Sequence, residues 1–355
     1  MARLFMKALD RAGFSPFLAS ELRTLDKDGD PPKQAAIRDA SEQEADSLIA
    51  QYKALPARER PRLWFTYHVY YKAPDWIGPR VADALDIPYV VAEGSRAAKR
   101  AQGPWALAHH GAESALDRAD AIFVMTDADR VALERARPEG QKLISLPPFL
   151  DAQEWDAPSH PARHERAEAR LLTVAMMREG DKLASYRILA DALTRVSPPW
   201  RLDIVGDGEA RDTVKNLFSD FGDRVHFHGA VEDRGFLRSL YESADLFLWP
   251  AVNEAYGMVL LEAQLFGCPV VAGAYGGVAN VVEDGTTGLL TPPGDVDAFA
   301  QAVSALLHDN GRRMSLGKAA RRFVLESRSL QQAAARLEAG LMPLLSMEGA
   351  RTCVS

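Results

Sequence analysis

The sequence predicts an α/β protein made of two doubly wound parallel sheets, and three observations carry that expectation. Short apolar runs alternate with longer helical patterns along the whole chain, as parallel strands joined by crossover helices require. A charged, proline-broken stretch, Asp151–Ala167, divides those runs into two sets and reads as a linker. The length of 355 residues is enough for two full cores.

The chain opens with a helical pattern in which Leu4, Phe5, Ala8 and Leu9 share one face and Gly13 stands at the stop position. An apolar run, Pro16–Ser20, follows as the expected first strand. The polar stretch Pro31–Arg60 carries Ile37, Leu48, Ile49 and Tyr52 at helical spacing, which predicts an amphipathic helix with a charged outer face. Strands are then expected at Leu63–His68, Tyr89–Ala92, Ala121–Met125 and Leu143–Leu146, and Pro147-Pro148 stops regular structure. In the second set the strands are Leu171–Ala175, Leu202–Val205, Val225–His228, Leu246–Trp249, Val270–Ala272 and Leu289–Leu290. A last globular helix lies near Arg321–Leu325, and a long helical pattern, Leu330–Leu345, closes the chain. The corresponding division is 1–157, 158–328 and a terminal helix in 329–355.

Composition narrows the class. The chain is 47% hydrophobic and 26% charged, ordinary for a globular protein. Its net charge of −7 argues against a nucleic-acid binder. Two distant cysteines, Cys268 and Cys353, form neither a disulfide framework nor a metal site, which suits a reducing cytoplasm. Cys268, beside an apolar strand, reads as a small core residue. No apolar run reaches the length of a membrane span, and Lys7, Asp10 and Arg11 interrupt what would be the core of a signal peptide.

Residues 245–290 concentrate the chemistry. The buried run Leu246–Trp249 breaks at Pro250 into a loop holding Asn253 and Glu254, and Gly257 opens an apolar helix carrying Glu262. Pro269–Ala272 leads to the next strand and a Gly276-Gly277 turn. Strand, loop, helix, strand and glycine turn place a ligand outside the carboxyl ends of parallel strands. By themselves the two acids read as an N-terminal helix acid, Glu254, and a solvated helix residue, Glu262. With Pro250, Gly257, Ala263 and the glycine pair around them, the segment resembles the Glu-x7-Glu region of retaining glycosyltransferases of the GT-B fold, family 4 (glycosyl transferases group 1).

That resemblance covers residues 165–325 and implies two Rossmann-like domains facing each other, with the chain end crossing back to the first. It implies transfer of a sugar from a nucleotide-sugar donor to a glycan, lipid or small-molecule acceptor. Glu254 is then expected at the donor-sugar hydroxyls and Glu262 at the ribose. Backbone N–H groups of Tyr256, Gly257 and Met258, at a helix N-terminus, suit a diphosphate. The Gly206-Asp207-Gly208 turn also matches the family; lacking a third glycine, it is a weak nicotinamide site. In residues 174–186, Lys182 fits the family's phosphate lysine, while Met176 stands where an arginine is usual. Arg178, two residues on, is either its replacement or an exposed loop charge. Gly276 and Gly277 are expected to let the backbone approach the sugar, and Asn280 replaces a frequent acid. No metal is expected, since no Asp-x-Asp pair sits at a strand end of the second domain. His226 and His228 alternate on one strand, a metal pair or plain sheet.

The first domain says less. His68, at a strand end, orients an acceptor hydroxyl or the donor, or merely caps the strand. Arg96, Lys99 and Arg100 offer a basic cluster for an anionic acceptor or a lipid head group at the inner face of a membrane, or a solvated loop. The loop after the second expected strand lacks the histidine common in the family. His109-His110 reads as a helix start. The opening helix has no strand and glycine-rich loop before it, so the first domain is expected to lack its first strand, about 20–40 residues of strand and loop. Two other readings remain open: a GT-B sugar-nucleotide epimerase and a non-catalytic nucleotide-sugar-binding protein.

Overall fold

The computed structural model describes the backbone of residues 1–155 and 167–351 and the side chains of 1–155 and 167–346. The chain divides into two compact units, Met1–Pro147 with Ala333–Ser355, and Pro148–Gln332. Most of the expected linker lies outside the described residues.

The first unit runs α1 (Ala2–Arg11), α2 (Pro31–Ala54), β1 (Trp64–Val69), α3 (Gly78–Leu85), β2 (Tyr89–Gly94), α4 (Ala106–Arg118), β3 (Ala121–Val124), α5 (Asp127–Arg135) and β4 (Lys142–Ser145). The four strands are parallel, in the order β1-β2-β3-β4. Helix α1 buries Phe5, Ala8 and Leu9, and Phe5 sits 5.7 Å from the ring of Phe65 and 5.2 Å from that of Tyr67 on β1. The buried face of α2 is Ala45, Leu48 and Tyr52. Its start is fixed by an aspartate-rich turn: Asp26 accepts hydrogen bonds from the backbone N–H groups of Asp28, Gly29 and Asp30 and from the side chain of Gln34. Asp30 then caps the helix through Lys33 N–H, with proline in the first turn, where a missing donor costs nothing.

Pro16–Ser20 is not a strand. The segment has no regular structure, and Phe17 and Leu18 are 58% and 68% exposed. Apolar composition misled here: Pro16 lacks an N–H for a ladder, and no described strand runs alongside to pair with. Every other expected strand is present.

The second unit runs β5 (Ala169–Val174), α6 (Asp181–Leu193), β6 (Trp200–Val205), α7 (Arg211–Leu217), β7 (Val225–Gly229), α8 (Arg234–Ser243), β8 (Leu246–Trp249), α9 (Met258–Leu265), β9 (Val270–Gly273), β10 (Gly288–Thr291), α10 (Val296–His308) and α11 (Asn310–Ser327). Its six parallel strands lie in the order β10-β9-β8-β5-β6-β7. All four residues of β8 and all four of β9 are buried, as a parallel sheet covered on both faces demands. Cys268 is a buried free thiol in this core. The strand order reverses at β5, between β6 and β8. This is a topological switch point, and the loops leaving β5 and β8 diverge from it at the carboxyl edge. The last helix, α12 (Leu330–Arg351), starts in the second unit and from Ala333 onward belongs to the first, where Arg336 donates to the carbonyl of Ser145.

Candidate functional site

Glu254 and Lys182 meet at the switch point. Lysine Nζ lies 2.5 Å from Glu254 Oε2, and the same oxygen accepts the indole N–H of Trp249 at 3.1 Å. Lys182 also stands over the Trp249 ring, 5.3 Å from its centroid. Trp249 is fully buried and is held edge-on by Tyr186 at 5.2 Å, whose hydroxyl donates to the carbonyl of Ala175. The Lys182 and Glu254 side chains keep 25% and 17% of their surface exposed, enough for a ligand to reach both. The loop between β8 and α9 is tied to the start of α6: Asn253 donates to Asp181 at 3.0 Å, and Val252 N–H donates to Ser185 Oγ at 2.9 Å. Ala251 and Asn253 take positive φ, 59° and 48°, a backbone cost that clusters where a site is preorganised.

Two glycine turns complete the frame. Gly206 has φ 145°, and a Cβ there would stand 1.8 Å from the carbonyl oxygen of Ala175. The Gly206-Asp207-Gly208 turn therefore packs backbone to backbone against the loop after β5, with Met177 N–H bonded to Asp207 O and Ala210 N–H to Met177 O. This grip buries Met177 and leaves Met176 exposed. Arg178 is also exposed, and its side chain has no ion pair among the described residues. At the second turn a Cβ on Gly276 would lie 2.2 Å from the carbonyl oxygen of Glu254, while Gly277 N–H donates to Ala255 O. What fills the space beside Gly276 is the Glu254 loop itself.

Glu262, about one turn into α9, is not part of the Lys182 pair. Its carboxylate is half-buried and accepts the hydroxyl of the fully buried Tyr241 at 2.8 Å. Burial pushes its pKa above the usual range, opposed by the Tyr241 hydrogen bond and the charge of Arg234. Its charge is therefore only partly solvated, and it has no ion pair among the described residues. Gly257, left-handed at φ 74°, caps α9 at its N-terminus, after buried Tyr256 and before half-buried Met258. Trp249, Tyr186 and Tyr241 escaped the sequence reading. The one available signal was an indole at the end of a buried strand, where its N–H needs an acceptor.

In the first unit His68, next to last in β1, has φ 68° and stacks on Tyr70 at 4.5 Å and 23°; it forms an aromatic stack, not a cap. Glu93, at the end of β2, also has positive φ, 60°. The basic cluster expected from Arg96, Lys99 and Arg100 does not form. The Arg96 side chain is only 6% exposed, bonded to Glu113 and to Asp117 on α4, because two acids one helical turn apart draw it inward. Arg100 lies over the Tyr71 ring at 5.1 Å. His109 sits inside α4, where burial pushes its pKa down. In the second unit, His228 pairs with Asp203 at 2.7 Å. Among the described residues no group of three or more His, Cys, Asp or Glu side chains is arranged to hold a metal ion, and no helix is long and apolar enough to cross a membrane.

Comparison with known proteins fits this geometry. The family model of glycosyl transferases group 1 matches residues 168–309, the stretch that builds the Lys182–Glu254 site. D-inositol 3-phosphate glycosyltransferase of Kineococcus radiotolerans is 32% identical over 305 residues, 75% of this chain and 69% of that protein. The chain belongs to the glycosyl transferases group 1. The enzyme of the same name from Corynebacterium aurimucosum is 30% identical over 277 residues, 71% of this chain and 66% of its own length. The chain thus spans about two thirds of the length of these curated relatives. Among solved structures, Anabaena HepE in complex with UDP superposes with a TM-score of 0.67 at 20% identity, covering 85% of this chain and 82% of that one. Family membership makes the two-sheet architecture a GT-B fold.

Proposed function

We propose that the protein is a retaining glycosyltransferase that takes its sugar from a nucleotide-sugar donor. The observation that carries this reading is the Lys182–Glu254 pair on Trp249, at the switch point of the second sheet. A cation and a carboxylate side by side suit a ligand with a diphosphate at one end and hydroxyls at the other. Lys182 and the N–H groups of Tyr256, Gly257 and Met258 receive the diphosphate, and exposed Arg178 adds a second cation. Glu254 accepts hydrogen bonds from sugar hydroxyls, and Glu262 from the ribose. The Gly206 turn shapes the phosphate loop, and Gly276 and Gly277 set the backbone of the Glu254 loop. UDP in HepE is the precedent for the donor class.

In the reaction the bond from the anomeric carbon to the diphosphate oxygen breaks, and the acceptor oxygen bonds to that carbon on the same face. The acceptor proton passes to the departing phosphate oxygen. Charge grows on the leaving diphosphate, so cationic donors aimed there stabilise the transition state most. Glu254 orients the sugar and is not a nucleophile. His68, in the first unit, orients the acceptor, whose class is a glycan, a lipid-linked sugar or a small molecule. Phosphate neutralisation rests on side chains and a helix terminus, so a chelator is expected to leave transfer unchanged.

The test is a thermal-shift screen with UDP-, GDP- and ADP-sugars, since a ligand at 100 times its Kd stabilises by about 2.7 kcal/mol, followed by transfer assays with the sugar that binds. Transfer with retained anomeric configuration supports the reading. An epimerised donor would make the chain an epimerase, and binding without turnover would make it a non-catalytic nucleotide-sugar-binding protein.

A further inference from the structure

Trp249 does more for this site than fill the core. Its indole N–H donates to the same Glu254 oxygen that pairs with Lys182, and its ring lies beneath the Lys182 ammonium. One fully buried side chain, itself braced by Tyr186, thus holds both members of the pair. A carboxylate fixed by an N–H on one oxygen does not swing away when an anion arrives, because leaving would orphan a buried donor.

The consequence concerns which anion the site accepts. A nucleoside diphosphate that reaches Lys182 must do so beside the Glu254 carboxylate. If the ligand carries a sugar, hydroxyl groups meet that carboxylate and donate to it. If the ligand is the bare diphosphate, a further anionic oxygen stands where the sugar was, and like charges oppose each other at close range. We propose that Trp249 is a positioning residue that locks Glu254 beside Lys182, so that the site prefers the sugar nucleotide over the diphosphate left after transfer. By-product release is then driven by the same carboxylate that orients the sugar. This inference rests on the glycosyltransferase reading and adds the specificity of its donor site.

Two variants test it, with UDP against UDP-glucose and GDP against GDP-mannose as the ligand pairs, each measured by calorimetry. Trp249→Phe keeps an aromatic ring at this buried position and removes the N–H, together with the volume of the second ring. It is expected to reduce the preference for sugar nucleotide over diphosphate by about tenfold, the size of one charge-assisted hydrogen bond, and to lower kcat more than it raises KM. Glu254→Gln removes the repelling charge and is expected to bind the diphosphate more tightly than wild type while binding the sugar nucleotide more weakly. A purely structural role for Trp249 would weaken both ligands in step. Should Trp249→Phe not fold, Trp249→Tyr, which also lacks the indole N–H, takes its place beside Glu254→Gln. A wild-type protein that binds neither these pairs nor ADP and ADP-glucose overturns the functional reading and this inference with it. A wild-type protein that binds and transfers sugar, with the ligand preference unchanged in the variants, overturns this inference only.

Discussion

Glu254 and Glu262 lie on one loop-and-helix stretch, yet their surroundings give them opposite problems. Glu254 has a cation and an indole N–H for its charge, whereas Glu262 has a single tyrosine hydroxyl and a raised pKa. A carboxyl group whose folded-state pKa is raised adds stability below its unfolded pKa, and that contribution is lost as pH rises through the folded value. Neutral pH is therefore where Glu262 costs the empty protein most. Glu262→Gln keeps an acceptor for Tyr241 and is expected to raise Tm at pH 7 by about 2–4 °C, the equivalent of about 1 kcal/mol. It should weaken nucleotide binding by about tenfold if the ribose donates to the carboxylate. The Tm gain should shrink as pH is lowered; a gain that is constant with pH would show that burial of the charge is not its source. At Lys182 the expected outcome is also specific. Lys182→Ala weakens nucleoside diphosphates by about tenfold or more and nucleosides hardly at all, and Arg178→Ala does the same more weakly. Equal losses for both ligands in Arg178→Ala would return that residue to an exposed charge. The places of these residues were legible because motif spacing sets Lys182 at the start of α6, Glu254 on the loop after β8 and Glu262 in α9. Trp249 and Tyr241 were not, since spacing says nothing about where an indole N–H or a phenol points across a sheet.

At the scale of elements, loops locked to one another by backbone contacts set the site. The turn after β6 touches the loop after β5 so closely that Gly206 has no room for a Cβ, and the turn after β9 leans in the same way on the Glu254 loop. Gly206→Ala must displace the carbonyl of Ala175 and adopt a backbone angle that costs an ordinary residue about 1–3 kcal/mol. Its expected result is a lower Tm together with a loss of diphosphate affinity, because the loop that moves carries Arg178 and leads to Lys182. Unaltered calorimetric affinity in a folded Gly206→Ala protein would separate that turn from the site. The same logic holds for α2, whose start hangs on Asp26. Burial raises the pKa of this carboxyl, but backbone bonds from Asp28 and Asp30, the Gln34 amide and Lys33 outweigh it and hold the pKa down to about 2. Strands were legible wherever an apolar run was flanked by helical pattern, as in Leu246–Trp249. Pro16–Ser20 shows the limit: the same composition gives no strand without a neighbour and with a proline among its donors.

For the whole molecule, the roles proposed for the donor and for the acceptor fall in different units. Every residue proposed for the donor, from Arg178 to Gly277, belongs to the second unit, and His68, the residue proposed for the acceptor, belongs to the first. The alternation of strands and helices made both sheets legible. It did not reveal that residues from Ala333 onward belong with the first unit, since a helical pattern carries no address; that expectation came from the family resemblance. The division predicts that binding and transfer can be damaged separately. His68→Ala removes a ring stacked on Tyr70 at a strained strand end and leaves the second unit intact. Its expected effect is a fall in transfer of about 10²-fold, the lower range for losing a group that orients or relays a proton, with calorimetric affinity for the sugar nucleotide unchanged. Lys182→Ala should show the reverse order, losing affinity first. Hydrogen exchange supplies an independent reading: a bound sugar nucleotide should protect the loops after β5 and β8, and the N-terminal turn of α9, through its contacts there. Loss of sugar-nucleotide affinity in His68→Ala, as large as that in Lys182→Ala, would mean that the donor is shared between the units and that this division of labour is wrong.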